Sequence, residues 1–193
     1  MNTKKTFIIE HLEPKLWPWC LIEYEHISET INKDNLWFTN IKNKSDEKKL
    51  SKWGKVSKES VTKMNLNNIC ILDPEAKETL SPKSAADFEY FLFGGILGDY
   101  PPKKRTQDEL TKFIKNPKTF DIGKEQMSTD NAVFVVKQII DGKKFEDLKF
   151  KDGIEVEIND IESVELPFRY TLVNEKPFMS PKIVEYLKKK KGF

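Results

Sequence analysis

The sequence predicts an α/β fold in which a mainly parallel sheet carries helices on both faces. Short apolar runs alternate along the chain with segments of helical periodicity, and that alternation is typical of a parallel sheet. The runs are continuous and do not alternate with polar residues, which indicates strands that are buried on both faces. With 193 residues, of which 38% are hydrophobic and 33% charged, the chain suffices for one domain core.

The elements follow from local patterns. Five apolar runs are predicted as strands: Phe7–Ile9, Leu36–Phe38, Ile69–Leu72, Tyr90–Phe93 and Phe120–Ile122. Four periodic segments are predicted as helices: Leu16–Ile31, Thr106–Lys115, Thr129–Ile140 and Pro181–Lys191. Thr106 and Glu109 have the spacing of a capping box at the start of the second helix. The apolar stripe of the first helix places Glu23, Glu25 and Glu29 toward solvent, with His26 among them.

Charge is unevenly distributed although the net charge is only +2. Ile41–Lys63 holds eight lysines against three acidic residues, and Lys182–Phe193 holds five lysines against one glutamate. Phe145–Glu165 has the opposite balance, with eight acidic residues against two lysines. These patches predict surfaces that attract partners of opposite charge, although such runs are often only solvated faces.

We interpret residues 1–193 as a single domain with two additions, a surface excursion at 40–66 and a C-terminal extension at 143–193. No apolar run approaches the roughly 20 residues that span a bilayer, so no membrane partner is expected. Cys20 and Cys70 do not form a disulfide framework, which favours a cytoplasmic protein. The two cysteines and two histidines share no ligand spacing, so no metal is expected.

Three predicted strands end in residues that suit ligand binding. Phe93–Pro102 contains three of the eight glycines and ends in two prolines. Glycines at the carboxyl end of a parallel strand allow the backbone to approach a ligand. The spacing matches neither the dinucleotide fingerprint nor the P-loop, so a tight turn without a ligand remains an alternative. Leu72–Pro74 and Gln126–Ala132 have the same polar, turn-forming character, and together the three predict a pocket at one sheet edge.

The same segments resemble a small SPOUT-class methyltransferase family of archaea and eukaryotes. The resemblance extends from Phe7 to Tyr170 and is carried by six blocks: Ile8–Glu13, Leu72–Pro74, Phe93–Pro102, Arg105-Thr106, Gln126–Asp130 and Leu166–Tyr170. Archaeal members are described as RNA methyltransferases. The yeast member is a protein arginine methyltransferase that acts on ribosomal protein S3.

The resemblance implies a SPOUT fold with a deep C-terminal trefoil knot, whose loops bind S-adenosylmethionine (SAM). The adenine is expected in a slot with backbone hydrogen bonds from Ile122–Met127, and Gly94 and Gly95 are expected to clear space for the cofactor. The implied cofactor-binding residues are Leu72, Asp73, Pro74, Phe93, Gly94, Gly95, Gly98, Ile122, Gly123, Gln126, Met127, Ser128, Thr129, Asp130 and Ala132.

Methyl transfer to arginine calls for a carboxylate that orients the guanidinium and accepts its proton. Asp99, which follows the glycine loop, is the first candidate, and Glu10, at the end of the first strand, is the second. Arg105 either binds the cofactor carboxylate or pins the loop, since its planar fork suits both roles.

The sequence and the resemblance leave three functions open. The favoured one is a protein arginine methyltransferase with an S3-like ribosomal small-subunit protein as substrate, which the acidic stretch Phe145–Glu165 would attract. The alternative is an RNA methyltransferase that uses the lysines of Ile41–Lys63 and Lys188–Lys191 as phosphate contacts. The third, a binding module that has kept the cofactor pocket but lost activity, is disfavoured by the intact loops. Both a monomer and the SPOUT-type dimer remain open.

Overall fold

The computed structural model describes residues 4–189, and its main sheet has six strands. They are β1 (Thr6–His11), β2 (Leu36–Thr39), β3 (Lys55–Val56), β4 (Ile69–Leu72), β5 (Tyr90–Gly95) and β6 (Lys118–Phe120). Their order is β3-β2-β1-β5-β4-β6, and every neighbouring pair is parallel. The predicted parallel α/β sheet is therefore confirmed. The trefoil knot that the resemblance implies stays a prediction.

Six helices accompany these strands in the described part of the chain. They are α1 (Pro18–Thr30), α2 (Lys44–Leu50), α3 (Pro82–Ala85), α4 (Arg105–Glu109), α5 (Thr129–Ile140) and α6 (Pro181–Lys189). α5 has the predicted bounds, whereas the last two residues predicted for α6 lie outside the described residues.

The capping box predicted for α4 is wrong. The helix is capped at Lys104 without a side-chain hydrogen bond, and Thr106 lies within the helix. The Glu109 carboxylate binds the guanidinium of Arg105 one turn earlier, with 2.7 Å between Nε and Oε1. Because that ion pair occupies the glutamate, no reciprocal cap forms.

Alternating residues of the central strands build a core on each face of the sheet. Ile9 and Phe91 belong to the larger core, which also contains apolar residues of α1 and α5. Ile8 and Leu92, their chain neighbours, point to the opposite face and pack with Leu110 at the end of α4. This two-sided burial explains why the strands read as continuous apolar runs.

The segment 40–66, predicted as a surface excursion, contributes to the sheet and to both cores. It contains α2 and the edge strand β3, which pairs with β2. Leu50 at the end of α2 is fully buried in the larger core, and Val61 is buried in the smaller one. Its many lysines lie around these few apolar anchors, so composition alone did not reveal them.

The C-terminal extension forms a second, antiparallel sheet. Its strands are β7 (Phe150–Asn159), β8 (Glu162–Val173) and β9 (Lys176–Pro177), in the order β7-β8-β9. The acidic stretch supplies most of β7, where buried Ile154 and Val156 alternate with exposed Glu155 and Glu157. A separate apolar core joins this sheet to α6. The hairpin was not predicted from the sequence.

One prediction for α1 is wrong: Glu23 and His26 are buried, with 5% and 8% of their surface exposed. The face that carries them packs against α5 and α6. Periodicity within α1 does not show this layer, because α5 and α6 come from about 100 residues or more further along the chain. Glu29 does face solvent, as predicted.

Within residues 4–189, no helix is both long and apolar enough to cross a membrane. The same residues contain no cluster of three or more His, Cys, Asp or Glu side chains that would hold a metal ion. Cys20 and Cys70 are buried free thiols.

Candidate active site

The three predicted ligand loops meet in one cavity at the carboxyl edge of the main sheet. β4 lies between β5 and β6, so the loops that follow these strands converge. The cavity is lined by Leu72–Pro74, by residues from Phe93 to Asp99 and by residues from Ile122 to Met127. Its volume is about 120 Å³, and it is partly open to solvent. We name it the first cavity.

All the predicted cofactor-binding residues line the first cavity except Gly95, Ser128 and Asp130. Among the remaining lining residues, Ile96, Leu97 and Glu125 lie within the predicted loops, whereas Lys103 and Thr106 were not predicted. Lys103 resembles an ordinary surface residue in the sequence, so only the course of the loops reveals its position.

Gly95 has a different role from the one predicted. Gly94 lines the first cavity, but Gly95, as its neighbour on β5, points the other way. A Cβ atom at Gly95 would lie 2.3 Å from the Tyr24 hydroxyl and 3.0 Å from the Glu10 carbonyl oxygen. Gly95 therefore clears space for a buried tyrosine and not for a ligand.

Ser128 and Asp130 fix the beginning of α5 and do not line the first cavity. The Ser128 hydroxyl donates to Asp130 Oδ1 at 2.6 Å, and Asp130 Oδ2 lies 2.6 Å from Nδ1 of His26 on α1. Asp130 is 4% exposed. These contacts explain why Ser128 and Asp130 stand at the start of α5 without lining the first cavity.

The carboxylate of Asp73 is already engaged although the residue lines the first cavity. Oδ2 accepts a hydrogen bond from the Thr111 hydroxyl at 2.6 Å, and Oδ1 accepts one from the Glu75 backbone N–H at 3.0 Å. Asp73 thus holds the turn after β4 in shape.

Arg105 pins the glycine loop. Its Nη1 donates to Glu13 Oε1 at 2.8 Å and to the Leu97 carbonyl oxygen at 3.3 Å. Glu13 Oε1 also accepts from the Leu97 backbone N–H at 3.0 Å. Hydrogen bonds to Glu109 and Glu13 raise the pKa of Arg105. Of the two roles predicted, the geometry supports loop pinning, and the side chain also lines the cavity.

The two predicted catalytic carboxylates lie in different places. Asp99 lines the first cavity, where its Oδ1 is 3.1 Å from Lys103 Nζ and its Oδ2 is 3.9 Å from Arg105 Nη1. Glu10 lies apart from the cavity and is 1% exposed. Its Oε2 accepts from the Thr39 hydroxyl at 2.5 Å and from the Val61 N–H at 3.0 Å. The catalytic role predicted for Glu10 is therefore wrong. Its carboxylate has a structural role, because it links β1 to β2 and to the 40–66 segment.

A second cavity of about 330 Å³ adjoins the first. Leu97 and Gly98 line both cavities. α1 contributes Trp19 and Glu23, and the C-terminal extension contributes Phe168, Tyr186 and Leu187. The sequence did not predict this cavity, since its walls come from parts of the chain that are far apart.

Glu23 is the buried acid of the second cavity. Its Oε1 accepts a hydrogen bond from Trp19 Nε1 at 2.8 Å. Burial, and then the negative charge of Asp130, raise the pKa of Glu23 to about 8. The folded protein therefore holds this proton well above the pH at which an exposed glutamate releases it.

The raised pKa of Glu23 predicts a pH-dependent stability. Between pH 4.5 and about 8 the unfolded chain has lost the proton and the folded chain keeps it, so the free energy of unfolding falls as the pH rises. Glu23→Gln cannot ionise and should gain stability relative to the wild type on the order of 2–4 kcal/mol from pH 5 to pH 8. Denaturant unfolding at a series of pH values measures this difference. Glu29→Gln, on the exposed side of the same helix, should show no such gain, and equal gains for both variants would contradict the assignment.

Known proteins of one family match this chain over nearly its whole length. The family model described as SFM1-like, protein arginine N-methyltransferase SFM1-like, matches residues 6–192. The protein arginine N-methyltransferase SFM1 of Saccharomyces cerevisiae is 36% identical over 200 residues, which cover 95% of this chain and 94% of SFM1.

Solved structures of the same yeast protein are also similar to this chain. Yeast SFM1 complexed with SAM has a TM-score of 0.88 at 33% identity, covering 97% of this chain and 91% of that one. The SFM1 complex with SAH has a TM-score of 0.86 at 34% identity, covering 95% and 94%. A dual-specific Trm10 of Thermococcus kodakaraensis has a TM-score of 0.57 at 18% identity, covering 74% and 95%, and is similar in fold alone.

Proposed function

This chain belongs to the SFM1-like protein arginine N-methyltransferase family, and on that premise we propose that it methylates an arginine of an S3-like ribosomal small-subunit protein. It is a SAM-dependent methyltransferase, as the family and its structures with SAM and SAH indicate. The observation that carries the assignment is the first cavity, which three loops form at the sheet edge within the matched residues.

The residues of the first cavity fit SAM. Leu72, Ile122 and Met127 provide apolar walls that suit the planar adenine. Lys103 provides a cation that suits the amino-acid carboxylate. These four residues would hold the cofactor.

SAM supplies its sulfonium methyl group: a C–N bond to the guanidinium forms as the C–S bond breaks, sulfur keeps the electron pair, and nitrogen releases one proton. The chain's part in such an in-line displacement is to position the partners and shape the local field. Arg105 and Glu13 position the glycine loop, since together they bind the backbone N–H and the carbonyl oxygen of Leu97. No metal is required for this chemistry.

The charge of the second sheet supports a basic protein as substrate. Glu155, Glu157 and Glu165 are exposed on β7 and β8. A surface of one sign attracts partners of the opposite sign and speeds their encounter. Ribosomal substrates and the two free thiols, Cys20 and Cys70, together favour a cytoplasmic location.

A labelled-methyl assay tests the proposal. The protein and labelled SAM are incubated with unmodified ribosomal small subunits, and label is counted separately in protein and in rRNA. We expect label in a single small-subunit protein, released as methylarginine on acid hydrolysis, and suppressed by excess SAH. Label in rRNA would contradict the proposal. It would make the lysines of Ile41–Lys63 the binding surface to study, together with Lys188 and Lys189; Lys190 and Lys191 lie outside the described residues.

A further inference from the structure

The second cavity lies where the acceptor of a methyl group has to be. It shares Leu97 and Gly98 with the first cavity, so a short stretch of backbone is the partition between them. Gly98 has no side chain, and a Cβ atom there would lie 2.5 Å from both Gln126 Nε2 and Phe168 Cε1. Gln126 lines the first cavity and Phe168 the second. The two spaces therefore meet at a point that only a glycine leaves open.

The walls of the second cavity suit a flat cation. Trp17, Trp19, Phe168 and Tyr186 all contribute to its lining. Guanidinium groups stack on aromatic rings, and tryptophan is the ring that binds cations best. Trp17 already shows this behaviour, because Lys15 Nζ lies 3.8 Å from the centre of its ring.

Glu23 completes the cavity with a buried carboxyl group. Within residues 4–189 it forms no ion pair with a lysine or arginine, and its charged neighbour is another acid, Asp130. A buried carboxylate without a cation is costly. The hydrogen bond from the Trp19 indole holds the carboxylate in place but supplies no charge. A bound guanidinium would supply the missing positive charge.

We propose that the second cavity binds the side chain of the arginine to be methylated, and that the Glu23 carboxylate binds its guanidinium. This assignment rests on the proposed function. The volume of about 330 Å³ is within the range of roughly 300–1,000 Å³ that is usual for pockets binding small molecules. Lysine would gain less here than arginine, since only the planar fork pairs with a carboxylate in two places while stacking on rings.

Glu23 also accepts the proton that the reaction releases. The positive charge of the bound guanidinium favours the ionised form of Glu23, so Glu23 releases its own proton to solvent when the arginine binds. Before transfer, the cationic guanidinium then lies against the ionised carboxylate. The new C–N bond forms as the methyl carbon leaves sulfur, and one N–H proton passes to Glu23. The products are a methylated guanidinium, a neutral Glu23 and SAH, so charge and atoms balance.

The Trp19 indole N–H reports directly on the site, because it donates to Glu23. The four tryptophans give four indole signals in an ¹⁵N–¹H NMR spectrum, and Trp19→Phe identifies the relevant one. With SAH bound, titration of N-acetyl-arginine amide should shift this signal in the wild type and in Glu29→Gln. It should not shift it in Glu23→Gln, and N-acetyl-lysine amide should shift it less. A Trp19 signal that arginine amide leaves unmoved in the wild type would overturn the proposal.

Methyl transfer to the small subunit gives the second readout. Glu23→Gln should bind SAM within about threefold of the wild type and lose at least about 100-fold in transfer, as loss of a proton acceptor commonly does. Glu29→Gln should stay within twofold. Asp99→Asn should lose less than tenfold, because Asp99 is paired with Lys103 at the first cavity. If Glu23→Gln stayed active, or if Asp99→Asn lost more methyl transfer than Glu23→Gln, the proposal would be overturned and Asp99 would be the proton acceptor.

The two proposals fail separately. If the wild type leaves every ribosomal protein unlabelled while arginine amide still shifts the Trp19 signal, the ribosomal substrate is wrong and the arginine site stands. If ribosomal protein is labelled but the signal does not move, the site is wrong and the function stands.

Discussion

Gly98→Ala is expected to lower the rate of methyl transfer at saturating SAM by about 100-fold, since misplacing a reacting group by about 1 Å costs that much. The added Cβ atom would lie 2.5 Å from Gln126 Nε2 and 2.5 Å from Phe168 Cε1. Both side chains have to move, and each lines one of the two cavities. Gln126 also loses its hydrogen bond to the Asp99 carbonyl oxygen, now 3.1 Å long. Donor and acceptor are therefore displaced together.

Single-turnover kinetics with labelled SAM and ribosomal small subunits measures this loss. Gly142→Ala is the matched control: it lies past the end of α5, with nothing within 4 Å of the added atom. Its φ of +103° makes alanine strained there, so stability should fall by about 1 kcal/mol while the rate is kept. If Gly98→Ala transferred methyl groups as fast as Gly142→Ala, the contact between the two cavities would be ruled out.

Gly95→Ala is expected to act on stability and not on cofactor binding. The Cβ atom would lie 2.3 Å from the hydroxyl of Tyr24, which is 1% exposed. That hydroxyl lies 2.9 Å from His11 Nδ1. Overpacking and a broken buried hydrogen bond each cost about 1–3 kcal/mol, so we expect a total near 3 kcal/mol. For a chain of this size, Tm should fall by about 10 °C.

Thermal unfolding of Gly95→Ala measures the stability, and calorimetric titration below the transition measures SAM binding. The folded variant should bind SAM within about threefold of the wild type, since Gly95 does not line the first cavity. Gly94→Ala, one residue earlier, does line it and should lose affinity for SAM with a smaller change in Tm. A Gly95→Ala variant with an unchanged Tm and weakened SAM binding would restore the role predicted from the sequence.

The two cavities assign separate tasks to the two parts of the chain. The parallel sheet presents the loops of the first cavity at its carboxyl edge, as open α/β sheets do. The second sheet docks on the same loops: Arg169 N–H donates to the Gln126 carbonyl oxygen at 2.8 Å, next to Phe168. The extension therefore supplies the aromatic wall of the proposed arginine site. In this proposal, the residues that bind the donor and those that bind the acceptor are coupled through one short contact.

Local patterns in the sequence predicted most of what is local in the protein. Continuous apolar runs predicted five of the six parallel strands, with the last displaced by two residues from the observed β6. Turn-forming residues after those strands predicted the loops of the first cavity, because the carboxyl ends of parallel strands meet at one edge. The bounds of α5 also followed from periodicity.

What only the tertiary structure decided depends on packing between distant segments. Periodicity placed Glu23 in solvent, but α5 and α6 cover that face and turn an ordinary surface acid into a buried one. The family resemblance implied that Gly95 clears space for the cofactor, whereas alternation along β5 turns it toward Tyr24. The sequence by itself determined the elements and the donor loops, since each depends on neighbouring residues. The acceptor cavity came from the fold alone, since its walls are brought together from α1, the glycine loop and the C-terminal extension.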